Sequence, residues 1–253
     1  MSWNPFQKHV IMPRTNAISK MEEKEFEKEV RRIEMLQENS RKLYKDMKNV
    51  QEALSDQSKI ESKLANEMSS SGRDNDELKV LFDAWYAQVT ILTSLTGEQV
   101  TNIQKTFTEP MKKFTQYFPS TLQAISKRNQ SLFEYSKCFS KVEKYQGRER
   151  TGSNVVKLEN SKRMMDKCRK EYETQQKILK LSLPQFYETR VDYVRPSLHS
   201  FIQNRLNYAT EAHKRYEQAA NSICVIIPSD EDCIEGIEKN LCDIKALSIT
   251  ADD

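Results

Sequence analysis

The stretch "KVEKYQGRERTG", residues 141–152, holds two of the chain's five glycines between long stretches without any. With five glycines and seven prolines in 253 residues, the sequence has too few turn-forming residues for a fold of many short elements. Charged residues make up 30% and apolar residues 37%, a balance typical of narrow hydrophobic stripes on solvated helices. The sequence therefore predicts an all-α protein in which this stretch is a turn between two long helices.

Apolar residues recur every three, four or seven positions in three segments, which predicts three amphipathic helices. The first runs from Ile18 to about Met68 and ends in a loop, "SSSGRDND", at residues 69–76. At 1.5 Å per residue the second and third helices would each be roughly 100 Å long. We therefore expect an elongated antiparallel bundle of three long kinked helices. Pro110 and Pro119 in the second helix are interpreted as kinks, and Pro184 and Pro196 lie inside the third helix.

The stretch "LFDAWYAQVTILTSL", residues 81–95, carries more large apolar groups than one solvated helix face requires. A second copy of the chain is the simplest cover for such a surface, so the sequence predicts a homodimer.

Positive charge is concentrated around the turn. Residues 127–170 hold thirteen Lys or Arg against five Asp or Glu, a net charge of +8, although the whole chain is only +3. The first helix is shorter than the others, so we expect this segment to project as a two-helix arm. A solvated helix face would explain the charge, whereas an arm that binds an anionic partner would explain its confinement to one region. The anionic partners open at this point are a membrane surface, a nucleic acid and an acidic protein, and the residues predicted to bind the first of these are Lys127, Arg128, Lys137, Lys141, Lys144, Arg148, Arg150, Lys157, Lys162, Arg163 and Lys167.

The two ends of the chain differ from the helical bundle, which we assign to residues 18–226. In the leader, residues 1–17, Trp3, Phe6 and Val10 would share an arc of about 60° on a helix and insert into a lipid headgroup layer. A disordered leader, or a strip packed on the bundle, is the alternative. In the tail, residues 227–253, we expect an acidic segment with a short amphipathic helix that lies on the protein, either to shield basic surface or as a docked solubility tail.

The sequence contains no nucleotide-binding loop and no hydrolase or metalloprotease motif, and its three histidines, His9, His199 and His213, are scattered. We expect no catalytic residue, metal site or cofactor. Five cysteines without a CxxC pair favour a reduced, cytoplasmic chain. No apolar run approaches the roughly 20 residues that cross a bilayer, so any membrane contact is expected to be peripheral.

Several segments resemble one family. "MSWNPF", "ISKRNQSLFEY", the turn itself, "LPQFYETRVDYVRPSLHSFI" and "KALSITADD" are similar to the amphiphysin-type BAR family, in its short bridging integrator branch without an SH3 domain. The resemblance implies a crescent-shaped antiparallel dimer whose basic residues bind anionic bilayers. It also implies roles in actin organisation, endocytosis or cytokinesis, a cytoskeleton-associated location, actin-regulatory partners, and pairing with itself or with an SH3-bearing relative.

The sequence thus predicts a peripheral membrane-binding dimer that senses or shapes curved anionic membranes. One alternative is a coiled-coil scaffold for cytoskeletal or signalling proteins that contacts lipid incidentally. A nucleic-acid binder would use the same basic arm but should carry a recognisable reading module, and none appears, so no nucleic-acid partner is expected. Lipid preference, protein partners and the balance between sensing and generating curvature stay open.

Overall fold

The computed structural model describes residues 18–72, 77–223 and 229–247. This part of the chain is 94% helical and contains no strand, as the sequence predicts. The α-helices are α1 (Lys20–Ser71), α2 (Glu77–Ile103), α3 (Glu109–Thr115), α4 (Phe118–Gln146), α5 (Gly152–Ile223) and α6 (Asp230–Lys245), with a π-helical turn at Gln104–Thr108 between α2 and α3.

The first and third predicted helices are present as continuous elements, α1 and α5. In α5 the helix runs through Pro184 and Pro196 without a break, as predicted. The second predicted helix is instead divided into α2, the π-helical turn, α3 and α4. The backbone keeps helical dihedral angles at Thr108, Gln116 and Tyr117, so the interpretation of Pro110 and Pro119 as kinks in one helical path holds, although the helix is divided at these points.

Both of these prolines lie in the first turn of a helix, Pro110 in α3 and Pro119 in α4. Proline is tolerated there because its missing N–H has no intrahelical partner in any case. Between α3 and α4 the chain makes a tight turn in which Gln116 N–H donates to Lys113 O at 3.1 Å and Tyr117 N–H donates to Phe114 O at 3.2 Å. The helix path changes at these two prolines without a long loop.

The chain divides into two compact units, of which the first comprises Met1–Asn49 and Lys105–Ser200. An aromatic cluster beside the proline turns forms part of its core. Phe114 lies 5.4 Å from Phe118 and stacks on Tyr193 with ring centroids 4.9 Å apart. Phe186 packs 5.3 Å from Phe118, and the Tyr193 hydroxyl donates to Pro110 O at 2.8 Å. These contacts join α3, α4 and α5 at the point where the second predicted helix is interrupted.

The second unit comprises Val50–Gln104 and Phe201–Asp253. A polar layer around Gln99 crosses its interior. The Asn204 side chain donates to Gln99 O at 2.9 Å, and Arg205 donates to the Gln99 side-chain oxygen at 3.3 Å. Thr96 and Tyr208 hydroxyls lie 3.2 Å apart. These hydrogen bonds fix the register of α2 against α5 in a unit that also buries the Gln51 side chain.

Large apolar side chains in the second unit remain exposed in the single chain. One group of them lies on α1, α2 and α5, and another lies on α6. A monomer rarely leaves so many large apolar groups in water. The most exposed members of the first group are Ile60, Leu64, Leu78, Val80, Ile202 and Leu206.

Helix α6 lies where the sequence predicts a short tail helix, and Ser229 caps its first turn. The Ser229 hydroxyl accepts from Asp232 N–H at 3.2 Å, and the Asp232 carboxylate accepts from Ser229 N–H at 3.2 Å. Every residue of α6 is exposed, including the apolar Ile234 and Leu241. The expectation that this segment lies on the protein surface is therefore wrong for the single chain.

Candidate functional site

The basic turn joins α4 to α5 in a tight hairpin. Gly147 N–H donates to Glu143 O at 3.2 Å and closes the last turn of α4. At the start of α5 the Asn154 side chain donates to Glu149 O at 2.9 Å, and the Thr151 hydroxyl accepts from Asn154 N–H at 3.4 Å. These bonds hold residues 147–151 as a short defined connection, so the basic residues on both sides of it face solvent from fixed positions.

The seam of the hairpin is apolar and aromatic. Leu132 and Tyr135 of α4 pack against Tyr172 of α5, and the two tyrosine rings stack with centroids 6.0 Å apart. Val142 continues the buried side of α4 towards the turn. Because these residues recur at three- and four-residue spacing, they bury one face of each helix, and the charged side chains lie on the opposite, exposed face.

The structure leaves most of the predicted membrane-binding residues in solvent. Lys162 is half-buried, and Arg128 is buried, whereas the other members of the set are exposed. On α4, four lysines share an arc of about 100°, on the side of the helix away from the seam. A charged stripe of this kind can approach a flat anionic surface without disturbing the packing beneath it. The exposed members are Lys127, Lys137, Lys141, Lys144, Arg148, Arg150, Lys157, Arg163 and Lys167, and the first four form the stripe.

Few of these charges are neutralised within the part of the chain that the structure describes. There, two members of the predicted set have an acidic partner within 4 Å, Arg128 and Arg163. The Arg163 pair, with Glu159 at 3.5 Å, is a surface contact between side chains that are 77% and 57% exposed. At the turn, Arg148 lies over the Tyr145 ring, 5.3 Å from its centroid, with its charge uncompensated by that contact. The net +8 of the segment is thus largely available to an external anion.

Arg128 does not belong in the membrane-binding set, and that prediction is corrected here. Its side chain is fully buried where α1, α4 and α5 meet. Its guanidinium donates to both carboxylate oxygens of Glu23, at 2.9 Å and 2.5 Å, and to the Gln176 side-chain oxygen at 2.7 Å. A charge already paired and removed from water cannot contact a lipid headgroup, so Arg128 has a structural role.

Aromatic rings complete the Arg128 cluster. The guanidinium carbon lies 4.1 Å from the centroid of Phe26, and the guanidinium also donates to the Tyr172 hydroxyl at 3.1 Å. Burial raises the pKa of Tyr172, although the positive charge of Arg128 opposes this shift. The cluster therefore holds a neutral phenol against a paired cation. It ties the first turns of α1 to the helices of the hairpin.

Sequence reasoning missed this cluster, although one signal was present. Arg128 lies three residues after Ile125 and four before Leu132, two positions on the buried side of α4. A basic residue at a seam position of the heptad-like pattern indicates burial with a partner and not exposure to solvent.

Trp3, Phe6 and Val10 lie outside the described residues, so their insertion into lipid stays a prediction. Within the described ranges, no group of three or more His, Cys, Asp or Glu is arranged to hold a metal ion. Among the helices described, none has the length and apolar character needed to span a bilayer. The boundaries at 18–226 and 227–253 also stay predictions.

The chain matches the BAR domain family over residues 8–223. This match covers most of its length, so the chain belongs to the BAR domain family, whose fold is a non-enzymatic, membrane-binding and dimerising scaffold. The resemblance noted in the sequence and the predicted all-α BAR fold class are confirmed.

Particular relatives agree with this assignment. Bridging integrator 3 of Mus musculus is 34% identical over 256 residues, which cover 100% of both chains. Protein hob3 of Schizosaccharomyces pombe is 28% identical over 195 residues, which cover 73% of this chain and 72% of that protein. Among solved structures, the amphiphysin BAR domain from Drosophila matches with a TM-score of 0.68 at 18% identity, over 91% of this chain and 99% of that one. The last comparison shows likeness of fold.

Proposed function

We propose that this chain is a cytoplasmic, peripheral membrane protein that binds curved anionic membranes as a homodimer through the basic hairpin of α4 and α5. The observation that carries the proposal is the exposed, mostly unpaired positive charge on the hairpin, in a chain of the BAR domain family. The exposed apolar face of the second unit supports the dimer, because a second copy would remove it from water.

The electrostatic attraction between the hairpin and an anionic membrane is strong enough for reversible binding. Each basic group near an anionic leaflet contributes about 1 kcal/mol, so four such groups in each of two protomers give roughly 8 kcal/mol before any orientation cost. Two separated basic contacts in one rigid dimer would favour a membrane curved to meet both. The charge of the hairpin therefore supports curvature sensing or shaping, which is also the function that BAR domain relatives support.

The finer proposal concerns what the membrane is linked to. We infer that the chain connects curved membranes to actin organisation, endocytosis or cytokinesis, in a cytoskeleton-associated location and with actin-regulatory partners. Its similarity along the full length to bridging integrator 3 supports this inference. Pairing with an SH3-bearing amphiphysin-type relative would use the same apolar face of the second unit.

The test is co-sedimentation with vesicles of phosphatidylcholine alone or with added phosphatidylserine. The variant Lys141→Glu, Lys144→Glu, Arg148→Glu and Arg150→Glu changes exposed residues only, so its helicity and dimer mass should match the unmodified protein. We expect it to lose binding to the acidic vesicles. Added salt should weaken the unmodified protein in the same direction, since mobile ions screen exposed charges.

The matched control keeps the charge and changes the side chains: Lys141→Arg, Lys144→Arg, Arg148→Lys and Arg150→Lys. This variant should bind acidic vesicles as the unmodified protein does. Retained binding by the glutamate variant at low salt would contradict the proposal and move the membrane contact to Trp3, Phe6 and Val10. Binding of duplex DNA in preference to vesicles would favour a nucleic-acid function instead.

A further inference from the structure

Two cysteines face each other across the seam of the hairpin. Cys138 of α4 and Cys168 of α5 are both free thiols, and their sulfur atoms lie 3.6 Å apart although the residues are 30 positions apart in sequence. Cys138 is buried and Cys168 is half-buried. The sequence pattern offers no sign of this pair, because both residues read simply as apolar positions of their helices.

The surrounding side chains hold the two sulfurs in this position. Cys168 packs, together with Met165, on the cluster formed by Leu132, Tyr135 and Tyr172. A disulfide requires a sulfur separation of about 2.05 Å, so the two atoms need to approach by roughly 1.5 Å. Rotation of the two side chains, with a small shift of α5 towards α4, is a movement of this size.

We propose that Cys138 and Cys168 form a reversible modification site, at which a peroxide oxidant converts the two thiols to a disulfide that joins α4 to α5. The proposal stands on the facing geometry of the pair and does not depend on membrane binding. Disulfides in a reducing compartment are transient, so the thiol form is the resting state and the disulfide is the oxidised state.

The reaction balances with hydrogen peroxide as the oxidant. The Cys168 sulfur is the more exposed, so its thiolate attacks one peroxide oxygen, the O–O bond breaks, and the products are a sulfenic acid on Cys168 and, after proton uptake, one water. The Cys138 sulfur then attacks the Cys168 sulfur, the S–O bond breaks, and the hydroxyl leaves as a second water with the Cys138 proton. Two thiols and one peroxide thus give one disulfide and two waters.

The environment of the Cys168 thiol makes its oxidation slow at neutral pH. Burial, together with the hydrogen bond to Cys138, raises the pKa of Cys168 to about 11, and the carboxylates of Glu134 on α4 and Glu171 on α5 act in the same direction. Only about one in 10⁴ of such thiols is ionised at pH 7. Since the thiolate is the nucleophile, we expect the rate to rise about tenfold per pH unit from pH 7 towards pH 10.

Closing the disulfide would restrain the hairpin. The bond would enclose residues 139–167, which include the connection at 147–151 and much of the exposed positive charge. Opening of α4 away from α5 would then require breaking a covalent bond instead of a few apolar contacts. We expect amide hydrogen exchange in this enclosed segment to slow by tenfold or more in the oxidised protein.

The experiment uses the full chain with Cys224→Ser, Cys233→Ser and Cys242→Ser, so that the pair alone remains. The protein is treated with hydrogen peroxide, and the remaining thiols are blocked with a maleimide in denaturant. Mass spectrometry should show a loss of about 2 Da, one peptide pair linked through Cys138 and Cys168, and full reversal by dithiothreitol. The hydrogen exchange of residues 139–167 should slow in the same sample.

Two single variants of this background are the matched controls. Cys138→Ala should leave Cys168 to accumulate as sulfenic or sulfinic acid, and Cys168→Ala should leave Cys138 largely unreacted, with no intramolecular link in either. The proposal is overturned if the pair takes up two maleimides after oxidation, or if the linkage joins Cys168 of one protomer to Cys168 of another. If the disulfide forms but hydrogen exchange is unchanged, the claim that the disulfide restrains the hairpin is contradicted.

Discussion

The exposed hairpin and the buried cluster around Arg128 draw their basic residues from one continuous segment, residues 127–170, yet the two regions use charge in opposite ways. On the hairpin, Arg163 and Glu159 meet at 3.5 Å in solvent. In the cluster, Arg128 is withdrawn from water and paired with Glu23, Gln176 and Tyr172. A count of charges therefore identifies a region, whereas the position of each residue relative to the seam determines whether its charge is paired inside the protein or faces solvent.

Replacement of Arg128 by alanine is expected to have the largest effect. The change leaves the half-buried Glu23 carboxylate and the buried Gln176 side chain without their donor, which costs about 3 kcal/mol of unfolding free energy. Urea unfolding followed by circular dichroism, at one protein concentration, measures this loss.

The neighbouring Lys127 provides the control, since it is exposed and belongs to the same segment. Lys127→Ala should change the unfolding free energy by no more than about 0.5 kcal/mol. Equal losses in the two variants would mean that the cluster does not stabilise the junction of α1, α4 and α5.

Replacement of Tyr172 should cause the next largest loss of unfolding free energy, and this loss should depend on pH. Tyr172→Phe keeps the ring but removes the hydroxyl that accepts from Arg128, at a cost of about 1.5 kcal/mol near neutral pH. Because burial raises the pKa of Tyr172, the fold favours the neutral phenol. The stability linked to this group is present below the unfolded pKa of about 10 and is lost as the pH rises through the folded value.

The measurement compares urea unfolding at pH 8 and pH 11 for both proteins. Tyr172→Phe should lose less stability between these two pH values than the unmodified chain. Tyr86→Phe, at a tyrosine that is 38% exposed, serves as the control and should leave the alkaline loss unchanged. An identical alkaline loss in Tyr172→Phe would show that this phenol does not titrate with unfolding.

The sequence predicted the helical class because helix period, scarce glycine and charge balance are local properties. It predicted α1 and α5 as long elements, and it located the hairpin from Gly147 and Gly152. It did not predict the separate helix starts at Pro110 and Pro119, since a proline in the first turn of a new helix and a proline kink give the same pattern. At this point Phe114 and Phe118 pack on Phe186 of α5, a contact that periodicity does not predict.

The candidate site was predictable in its location but not in each member. Exposed residues such as Lys141 and Arg150 follow from the charge run. The burial of Arg128 requires Glu23, which lies 105 residues away, and the pairing of Cys138 with Cys168 requires the register of α4 against α5. Sequence periodicity predicts which face of a helix is buried, but it does not predict which residues of another helix that face contacts.

Neutralising a single hairpin arginine should weaken membrane binding without affecting the fold. Arg148→Gln removes one exposed charge per protomer, worth about 1 kcal/mol, or about a fivefold loss of affinity for phosphatidylserine vesicles per protomer. Arg169→Gln is the matched control, because Arg169 already lies 3.3 Å from Asp166 and 3.8 Å from Glu173. Equal losses for the two variants would indicate that net charge, and not the position of the charge, governs binding.

The smallest effect is expected for the surface pair of the hairpin, and it tests the comparison most directly. A double-mutant cycle of Arg163→Gln with Glu159→Gln should give a coupling free energy of about 0.5 kcal/mol or less, because both side chains are largely solvated and one helical turn apart. The same cycle on Arg128 and Glu23 should give a coupling several times larger, since the arginine is fully buried.

Glu159→Gln alone should also strengthen binding to acidic vesicles slightly, because it removes a negative charge from the basic hairpin and releases Arg163 towards the lipid. Urea unfolding of the four proteins in each cycle, with vesicle titration of Glu159→Gln, supplies both measurements. Similar coupling in the two pairs would mean that burial does not separate the two regions, and the distinction between a structural and a membrane-facing charge would then fail.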